Sequence, residues 1–367
     1  MEKVEGLKSK LEELEDEYSN TKYNKATNKH LGILRAKIAK TKKDIIEGSK
    51  GKKGKGFFVK KTGDVTVALI GFPSAGKSTL INAISNVKSK TASYAFTTTE
   101  IIPGMLIYNH AHIQVFDLPG LIENAHLGVG GGRSVLSAAR ISDLILFVID
   151  ATNPAQIDML MHEFSALNIY VNVERPDVHV LDSKGQGLRI EVNRSLLTDK
   201  ELQVIFFGLG MPNSIVRIRS KINEDELISL LAGRSIYIRA IVALNKIDLV
   251  KGYEKVADDI RSRYNIEVFP VSMISKRNVD PLIKGVYNNL GIITVYLRHR
   301  LDKAEAEPLI LKKGSTVGEA AKKLHTDIAD ELKSAYVEGV SVKFKNQRVG
   351  INHVLEEGDV LTFIKNK

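Results

Sequence analysis

A doubly wound, mostly parallel α/β sheet with a smaller β-rich module after it is the fold class this sequence predicts, and three observations predict it. From Asp64 onward, β-rich apolar runs (VTVALI, PGMLIYN, HIQVFD, LILFVID, IRAIVALN, EVFPV) alternate with helical patterns, the rhythm of a parallel sheet covered by helices. The first run passes directly into GFPSAGKST, Gly71 to Thr79, a turn of spacing G-x-x-x-x-G-K-[ST]. Two later runs end in DLPG (Asp117 to Gly120) and NKID (Asn245 to Asp248), and a doubly wound sheet places its ligands at the carboxyl ends of its strands.

At the N-terminal side, Leu7, Leu11, Leu14 and Tyr18 recur at helical spacing, and Leu31, Leu34 and Ile38 begin a second such series after SNTKYNKATNK. This predicts two amphipathic helices joined by a turn. The flexible basic stretch GSKGKKGKG follows, so residues 1–61 are expected to form a basic helical hairpin of helix-turn-helix type. Residues 62–291 are expected to carry the α/β sheet. Between LILFVID and IRAIVALN lie about ninety positions, where a simple crossover unit takes roughly thirty. The alternation of NIYVNVERPDVHVL and GLRIEVN and the helical EDELISLLAG predict an inserted α+β subdomain over about 166–233. From residue 292 to 367, ITVYLR, PLILKKGST, VGEAAKKLHTDI, SVKFK and DVLTFI predict a small β-rich domain with one helix.

Composition narrows the function classes. At 367 residues the chain suits about two or three domains. No apolar run approaches the roughly 18 residues that a membrane span needs, and the opening MEKVEGLKSKLEELEDE is too charged for a signal peptide. A cytoplasmic protein without a membrane partner is expected. The absence of cysteine excludes disulfides, thiolate metal sites and thiol nucleophiles, so a metal is expected on oxygen ligands. The net charge of +10 is local: residues 1–20 carry a net −4, whereas residues 21–61 hold fourteen Lys or Arg against Asp44 and Glu47. Such a segment would attract RNA or a ribosome; a solvated helix face is the plainer alternative.

The chemistry is expected from short stretches. In the P-loop, Gly71 and Gly76 let the backbone curl against an anion, and Phe72, Pro73, Ser74 and Ala75 supply loop N–H groups or spacing. Lys77 would reach the β- and γ-phosphates of a nucleotide, Ser78 would hold Mg²⁺, and Thr79 completes the turn. Asp117 is expected in the outer shell of Mg²⁺, followed by Leu118 and Pro119, and Gly120 would offer its N–H to the γ-phosphate. Within FTTT, Thr98, with Thr97 as the alternative, would close on Mg²⁺ when that phosphate is present. Lys77, Thr98 and Gly120 are thus the candidates for catalysis, and Gly128, Gly130, Gly131 and Gly132 read as hinge or plain linker.

NKID selects the base. A carboxylate only accepts, and guanine presents N1–H and its exocyclic amino group side by side, so Asp248 can accept from both; adenine has no such pair. Asn245 would support the base through its amide, Lys246 would lie over the loop and sugar, and the backbone at Ser272 and Met273 could donate to guanine O6.

With GFPSAGKST, YAFTTTEIIPG, DLPGLIENA and NKIDL in this order, the sequence resembles the Obg-related GTPases. Together with the basic N-terminal helices, the insertion and the terminal module, it resembles their developmentally regulated GTP-binding (DRG) family, in its archaeal and eukaryotic form, over essentially the whole chain. The resemblance implies a helix-turn-helix region, a P-loop GTPase domain interrupted by a subdomain like the second domain of ribosomal protein S5, and a C-terminal TGS domain of β-grasp shape. It further implies GTP as substrate, Mg²⁺ as cofactor, association with translating ribosomes and a small regulatory partner protein. Two positions depart from related patterns. Leu121 stands where Ras-like GTPases orient water with glutamine, which implies slow hydrolysis. Ser74 stands where several relatives that use K⁺ carry asparagine, so a K⁺ role stays open. Two functions compete: a regulatory GTPase, and an RNA- or ribosome-binding protein in which the nucleotide is mainly structural.

Overall fold

The computed structural model describes residues 2–22, 27–48, 63–85, 87–88, 104–117, 135–136, 139–192, 196–298, 306–324 and 329–365. The chain divides into two compact units, one of residues 1–58 with 162–238 and the other of 59–161 with 239–367. The expected N-terminal helices are α1 (Glu2–Asn20) and α2 (Asn28–Gly48). Leu14, Leu31 and Leu34 are buried, and Lys42 Nζ to Glu15 Oε1 (2.5 Å) and His30 Nε2 to Glu17 Oε1 (3.0 Å) join the two helices at their polar edge.

The second unit begins at β1 (Val65–Ile70), whose six residues are all buried. A strand covered on both faces needs the unbroken apolar run VTVALI rather than alternation. It leads through the glycine-rich turn into α3 (Lys77–Ile84), followed by β2 (Val87–Lys88), β3 (Gly104–Tyr108), β4 (Ala111–Asp117) and β5 (Leu144–Asp150). Asn109 and His110, with φ of 46° and 64°, make the two-residue turn between β3 and β4, as a hairpin turn with two positive φ angles requires. Strands β4 and β5 lie on opposite sides of β1, both parallel to it. The strand order therefore reverses at β1, and the crevice such a reversal opens lies at the strands' carboxyl ends.

After α4 (Gln156–Ala166) the chain leaves the sheet for the expected insertion: β6 (Ile169–Val171), β7 (Val178–Asp182), β8 (Arg189–Val192), α5 (Asp199–Gly208), β9 (Ser214–Ile218), α6 (Glu224–Leu231) and β10 (Ile236–Ile238). Strand β9 sits between β7, antiparallel, and β8, parallel, while β6 pairs with β10 and their Tyr170 and Tyr237 rings stack at 5.0 Å. Thr198 and Glu201 cap α5, and Asn223 and Glu226 cap α6, each pair as a reciprocal box. Ala36 and Ala39 of α2 lie in one core with Leu202, Ile205 and Phe206 of α5 and Leu227 of α6. The helical hairpin and the insertion thus share a core. The helices approach closely at Gly208, where an added Cβ would stand 2.6 Å from the Ala36 Cβ.

The chain returns to the main sheet through β11 (Ala240–Asn245), α7 (Tyr253–Tyr264), β12 (Glu267–Pro270) and α8 (Val279–Asn289), completing the order β12-β11-β5-β1-β4-β3-β2. The C-terminal module contains β13 (Ile292–Leu297), β14 (Glu307–Lys312), α9 (Val317–Leu324), β15 (Leu332–Glu338), β16 (Gln347–Val349) and β17 (Val360–Lys365). Its sheet runs β14-β13-β17-β15-β16, with β13 and β17, its first and last strands, as parallel neighbours. This is the β-grasp arrangement, and α9 buries Val317, Ala320 and Ala321 in its core. The expected strand at SVKFK is instead a turn. The Gln347 carboxamide oxygen accepts from the Lys343 and Phe344 N–H groups, and Asn346 takes a φ of 52°; the strand in this region is LKSAYVE, earlier in the chain.

The shared core makes opposite predictions for two helical glycines. Gly208→Ala forces a Cβ into α2 and should destabilise by about 1–3 kcal/mol. Gly6→Ala, with nothing within 4 Å of the new Cβ, should stabilise by about 0.5–1 kcal/mol. Thermal melts of the two variants read both signs.

Candidate functional site

The site is assembled where β1, β4, β5 and β11 end. Gly71 follows β1 so closely to the neighbouring strand that a Cβ there would stand 2.3 Å from the Val148 carbonyl oxygen. Phe72 and Pro73 carry the chain outward, Ser74 takes a left-handed φ of 62°, and Ala75 turns back with its N–H on the Phe72 carbonyl (3.3 Å). Gly76 precedes α3 at φ 99°. No side chain caps α3 and its first turn holds no acid, so its N–H groups and dipole are left for an anion. Lys77 Nζ donates to the carbonyls of Gly71 (2.9 Å) and Phe72 (3.1 Å), which holds its charge over the loop. Ser78 and Thr79 are exposed in the same turn.

Asp117 ends β4 in register with Leu69 of β1, and Ser78 opens the helix that β1 feeds. Both offer hard oxygen donors of the kind Mg²⁺ takes, so this donor chemistry fits the ion that the sequence implies. Thr98, Leu118, Pro119 and Gly120 lie outside the described residues, as do Leu121 and the glycine stretch after it.

Asn245, 3% exposed at the end of β11, joins three segments. Its Nδ2 donates to the Ala75 carbonyl (2.9 Å), its Oδ1 accepts from the Met273 N–H (3.3 Å), and its backbone carbonyl accepts from the Ala151 N–H (2.8 Å). The amide expected to support the base is thus a tie between loops. The expected backbone donors beyond it are also engaged within the protein: the Ser272 N–H bonds the Arg277 carbonyl (3.1 Å), and that of Met273 bonds Asn245. Asp248 stands exposed in the short 3-10 turn Ile247–Leu249.

Lys246, at φ 64°, directs its ammonium to Asp150 Oδ2 (2.6 Å) at the end of β5 rather than over the loop. Asp150 is opposite Asn245 in strand register, and its other oxygen accepts from the Thr152 N–H (2.9 Å) and hydroxyl (2.7 Å). Burial works against its charged form, yet the Lys246 and Thr152 donors outweigh burial and hold the carboxyl below the ordinary Asp value. The sequence motifs do not single out Asp150. The one signal for it is an acid at the carboxyl end of a core strand, in LILFVID, the position from which such sheets act.

Residues 66–181 match the family model described as "50S ribosome-binding GTPase", 185–292 match the "C-terminal region of MMR_HSR1 domain", and 293–365 match the "TGS domain". The chain is 40% identical to GTP-binding protein 1 of Schizosaccharomyces pombe over 98% of this chain and 99% of that one. It is 38% identical to a GTP-binding protein of Methanocaldococcus jannaschii over 98% and 93%. It is 36% identical to developmentally-regulated GTP-binding protein 2 of Homo sapiens over 98% and 100%. Among solved structures, the YchF GTPase of S. pombe superposes with a TM-score of 0.50 over 82% of this chain and 98% of its own, at 15% identity, a likeness of fold.

Because the folded-state pKa of Asp150 is depressed, its pairing stabilises the protein above the pKa of an unfolded aspartate, and that contribution is lost as pH falls through the lower folded value. Asp150→Asn should cost about 1–3 kcal/mol at pH 7. Melts of wild type and variant should converge as pH drops below about 4; a gap that is constant with pH would refute the charged pair.

Proposed function

The chain belongs to the developmentally regulated GTP-binding family of Obg-related GTPases, and from that premise we propose that it is a GTP-dependent switch that hydrolyses GTP to GDP and phosphate in the cytoplasm while associated with ribosomes or RNA. GTP binding itself follows from the family. The observation that carries the reading is the single buried side chain, Asn245, that ties the P-loop carbonyl of Ala75 to the loop at Met273. A protein that holds its phosphate loop and its base-reading loops in one register is built to bind a nucleotide end to end.

In this reading, the loop from Gly71 to Thr79, through the N–H groups where it enters α3, and the Lys77 ammonium hold the phosphates, and Asp248 accepts from the two guanine donors. Asp150 holds the Lys246 ammonium, and the apolar stem of Lys246 would lie over the loop and sugar. Ser78 and Thr98 are the residues that would hold Mg²⁺, with Asp117 behind them; the ion, when bound, supplies neutralisation of charge on the phosphate oxygens. Thr98 and Gly120 sense the γ-phosphate, and its loss releases them, which turns hydrolysis into a change of shape. Leu121 cannot orient a water, so turnover by the isolated protein is slow and rises on a ribosome or with a regulatory partner. K⁺ is a further ion to test. Leu121 also favours the second reading, in which nucleotide is structural and turnover negligible. A GTP hydrolysis assay with and without ribosomes and K⁺ separates them: stimulated turnover supports the switch, and none under any condition supports the second.

The basic segment supports binding to RNA, and the family model's ribosome-binding description agrees with it. Since α2 is part of a core, deleting residues 1–61 would unfold its unit, and charge is the better handle. Replacing Lys50, Lys52, Lys53 and Lys55 with glutamine should flatten the slope of log affinity against log salt for ribosomes or RNA, by about 0.7–0.9 for each phosphate that the segment no longer neutralises. An unchanged slope would assign the binding surface elsewhere, the TGS lysines Lys312, Lys313 and Lys343 being the alternative.

Two substitutions test the nucleotide assignments. Asp248→Asn should weaken GTP and favour xanthosine triphosphate, because the amide can donate to the extra carbonyl of xanthine; equal GTP affinity would remove Asp248 from base recognition. Lys77→Ala and Ser78→Ala should both impair triphosphate binding, but only the serine variant should lose its Mg²⁺ dependence, read by titrating the metal at fixed GTP.

A further inference from the structure

The sheet of the second unit is held at the end away from the P-loop. Strands β1, β4 and β5 are parallel and bring their carboxyl ends to the nucleotide site, so the turn between β3 and β4, at Asn109 and His110, lies at the opposite end. That turn is seated on β13, the first strand of the C-terminal module. The Thr294 hydroxyl of β13 donates to the Asn109 carbonyl (3.2 Å). With its one proton so used, the Thr294 oxygen accepts from the Tyr287 hydroxyl of α8 (3.0 Å). Thr294 is 2% exposed and Tyr287 7%. The Tyr108 ring, also on the hairpin, packs 5.3 Å from that of Tyr287, and the His110 ring meets Tyr296 of β13 edge-on at 6.2 Å. A second clamp lies beside the first: Lys323 of α9 reaches Asp64, just before β1, at 3.3 Å, and the other Asp64 oxygen accepts from the His112 N–H of β4 (3.0 Å).

The same hairpin leads at its other end to the residues proposed to sense the γ-phosphate. In the sequence Thr98 stands six positions before β3 and Gly120 three positions after β4. Between them the two strands are laced from Gly104 opposite Val115 to Tyr108 opposite Ala111 and closed by a two-residue turn, so they move as one body about 20 Å long. Parting the tip from Thr294 would leave buried polar groups unmatched, each at a cost on the order of 1–3 kcal/mol. A displacement at the phosphate end therefore carries β13 with it or is resisted by it, and packed contacts of this kind pass between discrete arrangements. Thr294 also ties β13 to the turn before β17: its N–H donates to the Glu357 carboxylate (2.9 Å), and its carbonyl accepts from the Gly358 N–H (2.8 Å).

We propose that the tip of the β3–β4 hairpin couples the γ-phosphate to the C-terminal module, with Thr294 as the joint; this rests on the reading of the protein as a GTP-dependent switch. Coupling is reciprocal, so a ligand held by the module shifts the balance between bound GTP and GDP. The test is amide hydrogen exchange of the full-length protein, saturated in turn with GDP and with a non-hydrolysable GTP analogue, read over residues 290–298 and 355–361. Calorimetry verifies that each nucleotide binds. In the wild type, exchange in these segments should differ at least twofold between the two nucleotides. Thr294→Ser, which keeps the hydroxyl, should retain that difference, and Thr294→Val, which keeps only the branched shape, should lose more than half of it. Tyr287→Phe is read by the same threshold if the valine variant does not fold. A merely structural hydroxyl would change exchange equally with either nucleotide and leave the difference intact. The coupling is overturned if the wild type binds both nucleotides and the segments exchange within twofold, or if more than half of the difference survives loss of the hydroxyl. Failure to bind the analogue at all would instead refute the GTP reading, and the coupling with it.

Discussion

The carboxamide of Asn245 is the interaction on which the site depends. One buried side chain uses both of its ends, donating to the Ala75 carbonyl in the phosphate loop and accepting from Met273 in the loop after β12. Its position sets constraints around it. Gly76 has to be glycine because a Cβ would stand 2.2 Å from the Asn245 Nδ2, quite apart from its φ of 99°. Lys246, the next residue, is thrown into the left-handed region and needs an anchor, which Asp150 supplies from the strand alongside. Pre-ordering these loops lowers the entropy that a nucleotide must otherwise overcome on binding.

The same tie bears on the choice between a switch and a structural nucleotide. The loops proposed to read the base and cradle the phosphates are tied to one another by Asn245 itself, so the nucleotide is not required to hold them together. In the proposed switch, the stretch after Asp117 and that around Thr98 are the ones that would answer to the γ-phosphate.

Much of this is legible in the sequence because its signals are short and contiguous. VTVALI and LILFVID announce strands buried on both faces, and β1 and β5 are interior strands of the sheet. GFPSAGKST and NKID each carry their chemistry within nine residues or fewer. The rest depends on partners far apart in the chain. Asp150 matters because strand register sets it across from Asn245, which no local pattern reveals. Helix α5 carries two signals, the helical spacing of Leu202, Ile205 and Phe206 and the stretch TDKE, Thr198 to Glu201, which spells its capping box. In the core common to hairpin and insertion, α2 contributes Ala36 and Ala39 and α5 makes room with Gly208, small residues whose close approach no hydrophobic period announces. SVKFK alternates like a strand, yet Gln347 takes the N–H groups that a neighbouring strand would need.

The most direct measurement is the equilibrium affinity of Asn245→Ala for GTP, determined by calorimetry alongside the wild type, with circular dichroism verifying that the sheet is retained. Removing two buried hydrogen bonds that align the phosphate and base loops should weaken binding by on the order of a hundredfold while the fold persists. A folded variant that binds GTP within about twofold of wild type would contradict the account.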